Sequence, residues 1–242
     1  MIPGVLCQSG MSPWILGVNP NTDPYFSDVI NLWHIDNDDD SVDTNSWSDS
    51  GYIETNIHYG ASAAVISYNG VNEFCGISAQ HSNAAFLTTD WTMEFFVKVE
   101  NHPTIQTLFS KGGDNGLNSD GYTERSIDVL ADGKIRYATY SSGTQGSIAA
   151  IVSTNSIEYD KWLHIAIVQQ NTLTSIYVGG VLFASGVIWR PTGPFWGMRL
   201  GSHCYPNNRQ QSGAVFDEFR LTQNIARYTT TFTPTNIQWP NS

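Results

Sequence analysis

A dense run of aspartates is the first place in this sequence where side-chain chemistry could be concentrated. Residues 34–43 read HIDNDDDSVD, with five aspartates in eight residues. A calcium-binding EF-hand loop needs glycine at its sixth position and glutamate at its twelfth. Counted from Asp36, those positions hold Ser41 and Trp47. The run is therefore not an EF-hand loop, and two readings stay open: a cation site of another geometry, or a solvated turn.

Paired carboxylates are the next candidates for chemistry, because glycoside hydrolysis requires two of them across the scissile bond. Glu94 and Glu100 share one face of a strand pattern but lie six residues apart, and the adjacent Asp217 and Glu218 are expected to point to opposite faces. No nucleophile elbow, zinc-protease helix motif or P-loop occurs in the sequence. We therefore predict a protein that is not an enzyme. Glycan hydrolysis stays open as an alternative, since carboxylates from separate strands can also meet.

Composition and charge exclude several broad classes of function. The 242 residues carry a net charge of −11, which would repel phosphate backbones, so we expect neither nucleic-acid binding nor attraction to anionic membranes. No apolar run is long enough to span a membrane. The three cysteines, Cys7, Cys75 and Cys204, have no metal-type spacing. Buried free thiols are expected, although a single bridge remains open.

Hydrophobic periodicity predicts an all-β protein. Residues 92–100 alternate between apolar and polar side chains, the period of a half-buried strand. Hairpins are predicted at Ala131-Asp132-Gly133 and at Asn171-Thr172, since such residues tolerate the backbone conformation of tight turns. About a dozen short strands without a long helix indicate one antiparallel sandwich over residues 23–242. Residues 1–22 form an uncharged arm. We expect its Trp14, Ile15 and Leu16 to dock on the same domain or on a neighbouring subunit.

Seven sequence pieces, in order, resemble the laminin G-like jelly rolls of the concanavalin A-like lectin/glucanase superfamily. They are DPYFSDVINLWHIDN at 23–37, DSG at 49–51, YNG at 68–70 followed by EF at 73–74, TMEFFVK at 92–98, LFSK at 108–111, KWLHIA at 161–166, and the closing FDEFRLT, IARY and FTP at 216–234. More narrowly, the set is similar to the version found in bacteriophage tail and virion proteins.

The resemblance implies a two-sheet jelly roll with one concave face and loops along its rim. It implies function more loosely, because one fold hosts many activities. We expect a non-catalytic virion surface protein, either a decoration protein or a tail-associated one, whose partners are other virion proteins and host-surface glycan. The alternative is a purely structural decoration or adaptor protein without a ligand. In the closing segment, residues 217–220 are expected to hold sheet edges through ion pairs and hydrogen bonds.

Two rim loops supply candidate binding residues under this resemblance. Relatives of this kind often hold calcium at the rim, and the glycine-rich loop 112–121 offers oxygen ligands. The predicted calcium ligands are Asp114, Asn115, Asn118 and Asp120. The run from Asp36 to Asp43 ranks second, and a solvated turn is the alternative for both loops.

Glycan recognition combines aromatic rings with amide and charged side chains. The predicted glycan-binding residues are Tyr122, Tyr205, Asn207, Asn208 and Arg209.

Overall fold

The structure is a computed structural model, and it describes eleven stretches of the chain. They are residues 22–35, 48–49, 52–54, 58–59, 63–66, 75–81, 89–112, 123–140, 147–188, 195–203 and 212–242. Within these stretches the chain forms fifteen strands and one short 3-10 turn, Phe26–Asp28. The predicted all-β fold is therefore confirmed.

Eight of the strands form one antiparallel sheet. We call it the strap-side sheet, because the C-terminal segment of the chain crosses its outer face like a strap. Its order is β13 (Val181–Val187), β12 (Leu173–Val178), β11 (Trp162–Gln170), β6 (Trp91–Val99), β15 (Ala214–Gln223), β4 (Ala63–Ile66) and β3 (Tyr52–Glu54), with β1 (Val29–Trp33) also paired to β15. Strand β15 thus lies inside the sheet, so residues 217–220 do not hold a sheet edge as predicted.

The other seven strands form a second antiparallel sheet, which we call the open-side sheet. Its order is β10 (Ser147–Ser156), β9 (Lys134–Tyr140), β8 (Thr123–Val129), β7 (Gln106–Gly112), β14 (Phe195–Leu200), β5 (Cys75–His81) and β2 (Ser48–Asp49). The two sheets enclose one apolar core, to which both contribute. This is the predicted two-sheet sandwich.

The alternation predicted for residues 92–100 separates the β6 side chains that face the core from those that face outward. Met93, Phe95, Val97 and Val99 of β6 are buried between the sheets, whereas Phe96 joins a second cluster on the outer face. Both predicted hairpins form, and the left-handed backbone that a tight turn requires occurs at Gly133 (φ +81°) and Asn171 (φ +51°). The predicted strand within residues 92–100 and both predicted hairpins are therefore present in the structure.

The outer face of the strap-side sheet is covered by both ends of the described chain. Trp239 of the C-terminal segment (residues 224–242) packs with Val29, Leu32 and Phe96, and Tyr228 and Phe232 cover Ala166, Val168 and Tyr177. Trp162 also packs in this outer layer, where it stacks on His58. None of the described residues forms a helix that could cross a membrane.

Candidate functional site

Among the described residues, the strap-side sheet carries a network of four charged side chains, and Glu94 lies at its centre. The Glu94 side chain is fully buried. Its Oε1 accepts from Nε and Nη2 of Arg220 at 3.0 and 2.8 Å. Its Oε2 accepts from the Tyr228 hydroxyl at 2.8 Å and lies 2.9 Å from Nε2 of His164. Burial by itself would raise the pKa of Glu94, but the charge of Arg220 and the hydrogen bond from His164 hold that pKa well below its usual range.

Asp23 extends this network to the other end of the chain. Its carboxylate accepts two hydrogen bonds from Arg227, at 2.9 and 2.7 Å, and one from Arg220 at 3.0 Å. Burial opposes ionisation of Asp23, but the hydrogen bond from Arg227 and the charges of both arginines leave its pKa lowered. Two carboxylates therefore meet two guanidinium groups. We interpret the network as the structural attachment of both chain ends to the sheet.

A bulge in β15 brings the adjacent Asp217 and Glu218 to the same outer face. The register between β15 and β6 shifts between Asp217 and Arg220, and Glu218 has a positive φ of 50°. Asp217 accepts the backbone N–H of Tyr59 at 2.8 Å. Glu218 accepts the backbone N–H of Trp239 at 3.1 Å and lies 2.8 Å from Nδ1 of His34. The expected opposite orientation was therefore wrong, because strict alternation holds only in a regular strand.

The outer face of the open-side sheet carries a different polar group, centred on Asp128. Ile127 and Val129 on β8 point into the core, so Ser126 and Asp128 point outward. Asp128 accepts from Thr107 at 2.9 Å and from Ser126 at 2.7 Å. It also accepts from Nε and Nη2 of Arg136 at 3.0 and 2.9 Å. The Asp128 carboxylate is buried, and both of its oxygens accept hydrogen bonds from neighbouring side chains, which it thereby orients. The Arg136 side chain remains partly exposed to solvent.

Aromatic rings border this polar group. The Tyr140 hydroxyl lies 3.2 Å from the Ser126 hydroxyl, and the His203 ring stands perpendicular to the Tyr140 ring at 5.9 Å. Arg199 donates to the backbone oxygen of His203 at 3.3 Å. Burial lowers the pKa of His203, so this imidazole is neutral near pH 7. Burial raises the pKa of Tyr140, whose hydroxyl therefore stays protonated. We call Asp128, Arg136, Tyr140, Arg199 and His203 the open-face cluster.

Arg136, Arg199 and His203 of this cluster are partly exposed, whereas Asp128 and Tyr140 are buried. The partly exposed side chains offer hydrogen-bond donors, which sugar hydroxyls require. The oxygens of the Asp128 carboxylate are occupied by Thr107, Ser126 and Arg136.

All predicted site residues lie outside the described stretches. This holds for the calcium ligands Asp114, Asn115, Asn118 and Asp120, for the glycan-binding Tyr122, Tyr205, Asn207, Asn208 and Arg209, and for Trp14, Ile15 and Leu16 of the arm. The aspartate run from Asp36 to Asp43 also lies outside them. Among the residues that the structure describes, no group of three or more metal-ligating side chains occurs. Calcium binding remains a prediction.

The described chain nevertheless connects one predicted loop to the open-face cluster. Ser202 and His203 begin the loop that carries Tyr205 to Arg209, and the Ser202 carbonyl accepts from Ser110 on the open-side sheet at 2.8 Å. Sequence reasoning missed Asp128 and Arg136. A signal was present, because the predicted hairpin at 131–133 places these two opposite charges directly across from each other.

A comparison with protein-family models decides the family. The model described as the concanavalin A-like lectin/glucanases superfamily matches residues 76–227, more than half of the chain. This chain belongs to that superfamily. The two antiparallel sheets are accordingly the jelly-roll sandwich of a concanavalin A-like domain, and the predicted resemblance is confirmed at this level. A search of curated protein sequences found no match.

Solved structures share the concanavalin A-like fold at low sequence identity. The botulinum neurotoxin serotype C1 binding domain is 10% identical with a TM-score of 0.62, covering 82% of this chain and 49% of that one. The binding domain of botulinum neurotoxin DC in complex with SialylT is 10% identical with a TM-score of 0.59, covering 82% and 48%. The Trypanosoma rangeli sialidase in complex with sialic acid is 12% identical with a TM-score of 0.60, covering 81% and 31%. The chain thus spans about half or less of the structures that it matches.

Proposed function

We propose that this protein is a non-catalytic, lectin-like component of a bacteriophage virion surface, which binds host-surface glycan through the open-side sheet. The open-face cluster carries the proposal. On that face, Asp128 orients Arg136, and the rings of Tyr140 and His203 lie beside it. The other outer face is covered by the chain ends and offers no comparable surface among the described residues.

The comparisons support glycan as the ligand class. Matching structures include a neurotoxin binding domain in complex with SialylT and a sialidase in complex with sialic acid. Another matching structure belongs to botulinum neurotoxin type C, whose cell entry is dependent upon interaction with two ganglioside molecules. At identities of 10–12% these likenesses support the choice of glycan and not a particular sugar.

The proposed absence of catalysis rests on the positions of the carboxylates. Glu94 and Asp23 are held by arginines under the C-terminal segment, and Asp128 is saturated by its neighbours. No two of these three carboxylates can lie on either side of a glycosidic bond in the way that hydrolysis requires. Release of reducing ends from a host polysaccharide would contradict this part of the proposal.

The glycan proposal predicts a specific effect at Tyr140. On a glycan array the full chain is expected to bind at least one surface glycan, and Tyr140→Phe is expected to weaken that binding about fivefold to tenfold, since one hydrogen bond is worth about 1 kcal/mol. Tyr177→Phe is the matched control, because it makes the same change in a buried tyrosine on the opposite sheet. Repeating the array with calcium and with a chelator tests the predicted calcium loop at 112–121.

Two outcomes would count against glycan binding on this face. If no glycan is bound with or without calcium, the lectin proposal fails. If Tyr140→Phe and Tyr177→Phe bind equally well, the ligand does not contact the open-face cluster. The first of these outcomes, no binding at all, would favour the second candidate, a structural decoration or adaptor protein without a ligand, in which Asp128 has a structural role through its hydrogen bonds to Thr107 and Arg136.

The virion role rests on the similarity of the sequence pieces at 23–37, 92–98 and 216–234 to phage tail and virion proteins. We expect the protein to co-purify with particles, on whose surface it would lie. Removal of residues 1–22, which include Trp14, Ile15 and Leu16, is expected to reduce incorporation at least tenfold if the arm docks on other virion proteins. Quantitative mass spectrometry of purified particles measures this. Unchanged incorporation would show that the arm does not dock.

A further inference from the structure

The hydroxyl groups around Asp128 have their protons committed inside the protein. A hydroxyl group donates one hydrogen bond, whereas a carboxylate only accepts. Thr107 and Ser126 therefore donate to Asp128, at 2.9 and 2.7 Å. Because the Ser126 proton is used in this way, the 3.2 Å contact between Ser126 and Tyr140 has the Tyr140 hydroxyl as its donor. These hydroxyl protons are thus directed to Asp128 or to Ser126, and toward a ligand the Tyr140 oxygen is an acceptor.

Arg136 offers this face a charged donor. Its Nε and Nη2 donate to Asp128, at 3.0 and 2.9 Å, and among the described residues no atom accepts a hydrogen bond from its Nη1. The Arg136 side chain is 22% exposed. Val152, which lies directly across from it on β10, is 43% exposed, so this part of the face is open to solvent. The ion pair with Asp128 therefore fixes the guanidinium plane and leaves its free end available to a ligand.

A second guanidinium group, that of Arg199, lies close to the same imidazole ring. Strand pairing places Arg199 in one row with Ser126, two strands away. Burial is the largest cause of the lowered pKa of His203, and the charges of Arg136 and Arg199 lower it further, while the charge of Asp128 opposes them. Both guanidinium groups are therefore within electrostatic reach of His203. Two positive charges and one negative charge thus surround a neutral ring.

From these observations we infer that the open-face cluster selects a carboxylated glycan, whose carboxylate binds Arg136 and is attracted by Arg199. The inference rests on the proposed glycan-binding function and names its ligand class. A carboxylate is planar and fits the free end of the Arg136 guanidinium, where Nη1 and the second proton of Nη2 lie side by side. Attraction between opposite charges strengthens each of these hydrogen bonds. A hydroxyl group of the same sugar can donate to the Tyr140 oxygen.

Chemically paired glycans test the inference on the unchanged protein. Sialic-acid and uronic-acid oligosaccharides are placed on an array, each beside the form in which its carboxylate has been reduced to an alcohol. The full chain is expected to bind at least one carboxylated member about 10-fold to 100-fold more tightly than the reduced form, since hydrogen bonds to charged groups have this worth.

Substitution of Arg136 assigns the preference to this cluster. Arg136→Gln is expected to weaken binding of the carboxylated form about 10-fold or more and to change binding of the reduced form less than about twofold. Lys134→Gln is the matched control, because it removes the same charge from the same outer face of β9, where Lys134 is paired with Asp132 at 2.6 Å. It should leave the preference unchanged.

Circular dichroism shows whether the variants keep the fold, and Arg199→Gln provides a second change if Arg136→Gln does not fold. Equal binding of the carboxylated and reduced forms would overturn the inference and leave the lectin proposal standing. Equal losses in Arg136→Gln and Lys134→Gln would also overturn it, because the preference would then come from the general charge of the protein. Absence of binding to any glycan would overturn both the inference and the lectin proposal.

Discussion

Replacing Glu94 by glutamine is expected to lower the free energy of unfolding by about 3–5 kcal/mol, the usual cost of removing one partner from a buried ion pair. The neutral amide leaves Arg220 and Arg227 with Asp23 as their remaining carboxylate in this network. The surplus positive charge stays buried, because Arg220 is covered by the Trp239 ring at 4.2 Å. Urea unfolding at pH 7, followed by tryptophan fluorescence, measures the change.

Glu100→Gln is the control for this variant, because it removes an exposed carboxylate just beyond the end of the same strand. That variant is expected to stay within about 0.5 kcal/mol of the natural protein. If Glu94→Gln were as stable as Glu100→Gln, the network would not hold the chain ends to the sheet.

The same network predicts how stability depends on pH. The pKa of Glu94 and that of Asp23 are both lower in the folded protein than the ordinary values of 4.5 and 3.8. Groups of this kind contribute stability that is fully present above the unfolded pKa and is lost as pH falls through the folded pKa. The natural protein is therefore expected to lose stability below about pH 4.5. Glu94→Gln should lose less over the same range, since it has already lost this contribution at pH 7.

The second large effect is expected at Gly180, where the C-terminal segment crosses the turn between β12 and β13. Gly180 has φ +78°, and the backbone N–H of Phe232 donates to its carbonyl at 3.0 Å. A Cβ at this position would lie 2.0 Å from the carbonyl oxygen of Phe232. Gly180→Ala is therefore expected to lower the free energy of unfolding by about 3 kcal/mol, from left-handed strain together with displacement of the segment.

The neighbouring Gly179 separates these two causes. It also has a positive φ, 58°, but an added Cβ meets nothing within 4 Å. Gly179→Ala should therefore cost about 1 kcal/mol from backbone strain alone. Tryptic cleavage after Arg227, followed by mass spectrometry, reports on opening of the segment. Faster cleavage is expected in Gly180→Ala than in Gly179→Ala, and equal rates would show that the segment does not depend on this contact.

Much of the fold follows from local sequence signals. The alternation over residues 92–100 and the turns at Gly133 and Asn171 determine strands β6, β8, β9, β11 and β12, because these signals act between neighbours in the chain. The bulge at Glu218 does not follow from them. It depends on partners brought in from the C-terminal segment, and it reverses the expected orientation of one carboxylate.

The candidate site was predictable to a smaller extent. Tyr205 to Arg209 were predicted to include glycan-binding residues, and Ser202 and His203, which precede them in the chain, contact Ser110 and Tyr140. The importance of Asp128 required the pairing of three strands, since Thr107, Ser126 and Arg136 come from β7, β8 and β9. One of these contacts, to Arg136, could have been read from the hairpin register.

The all-β class, the superfamily, the hairpins and the acidic net charge could all be read from the sequence alone. Only the tertiary structure decided the role of the carboxylates. Glu94 lies 126 residues before Arg220, and Asp23 lies 204 residues before Arg227. A carboxylate in a sequence is equally compatible with catalysis, metal binding and an ion pair. Its role is set by the groups that surround it after folding, because burial and neighbouring charge determine whether it can meet a ligand.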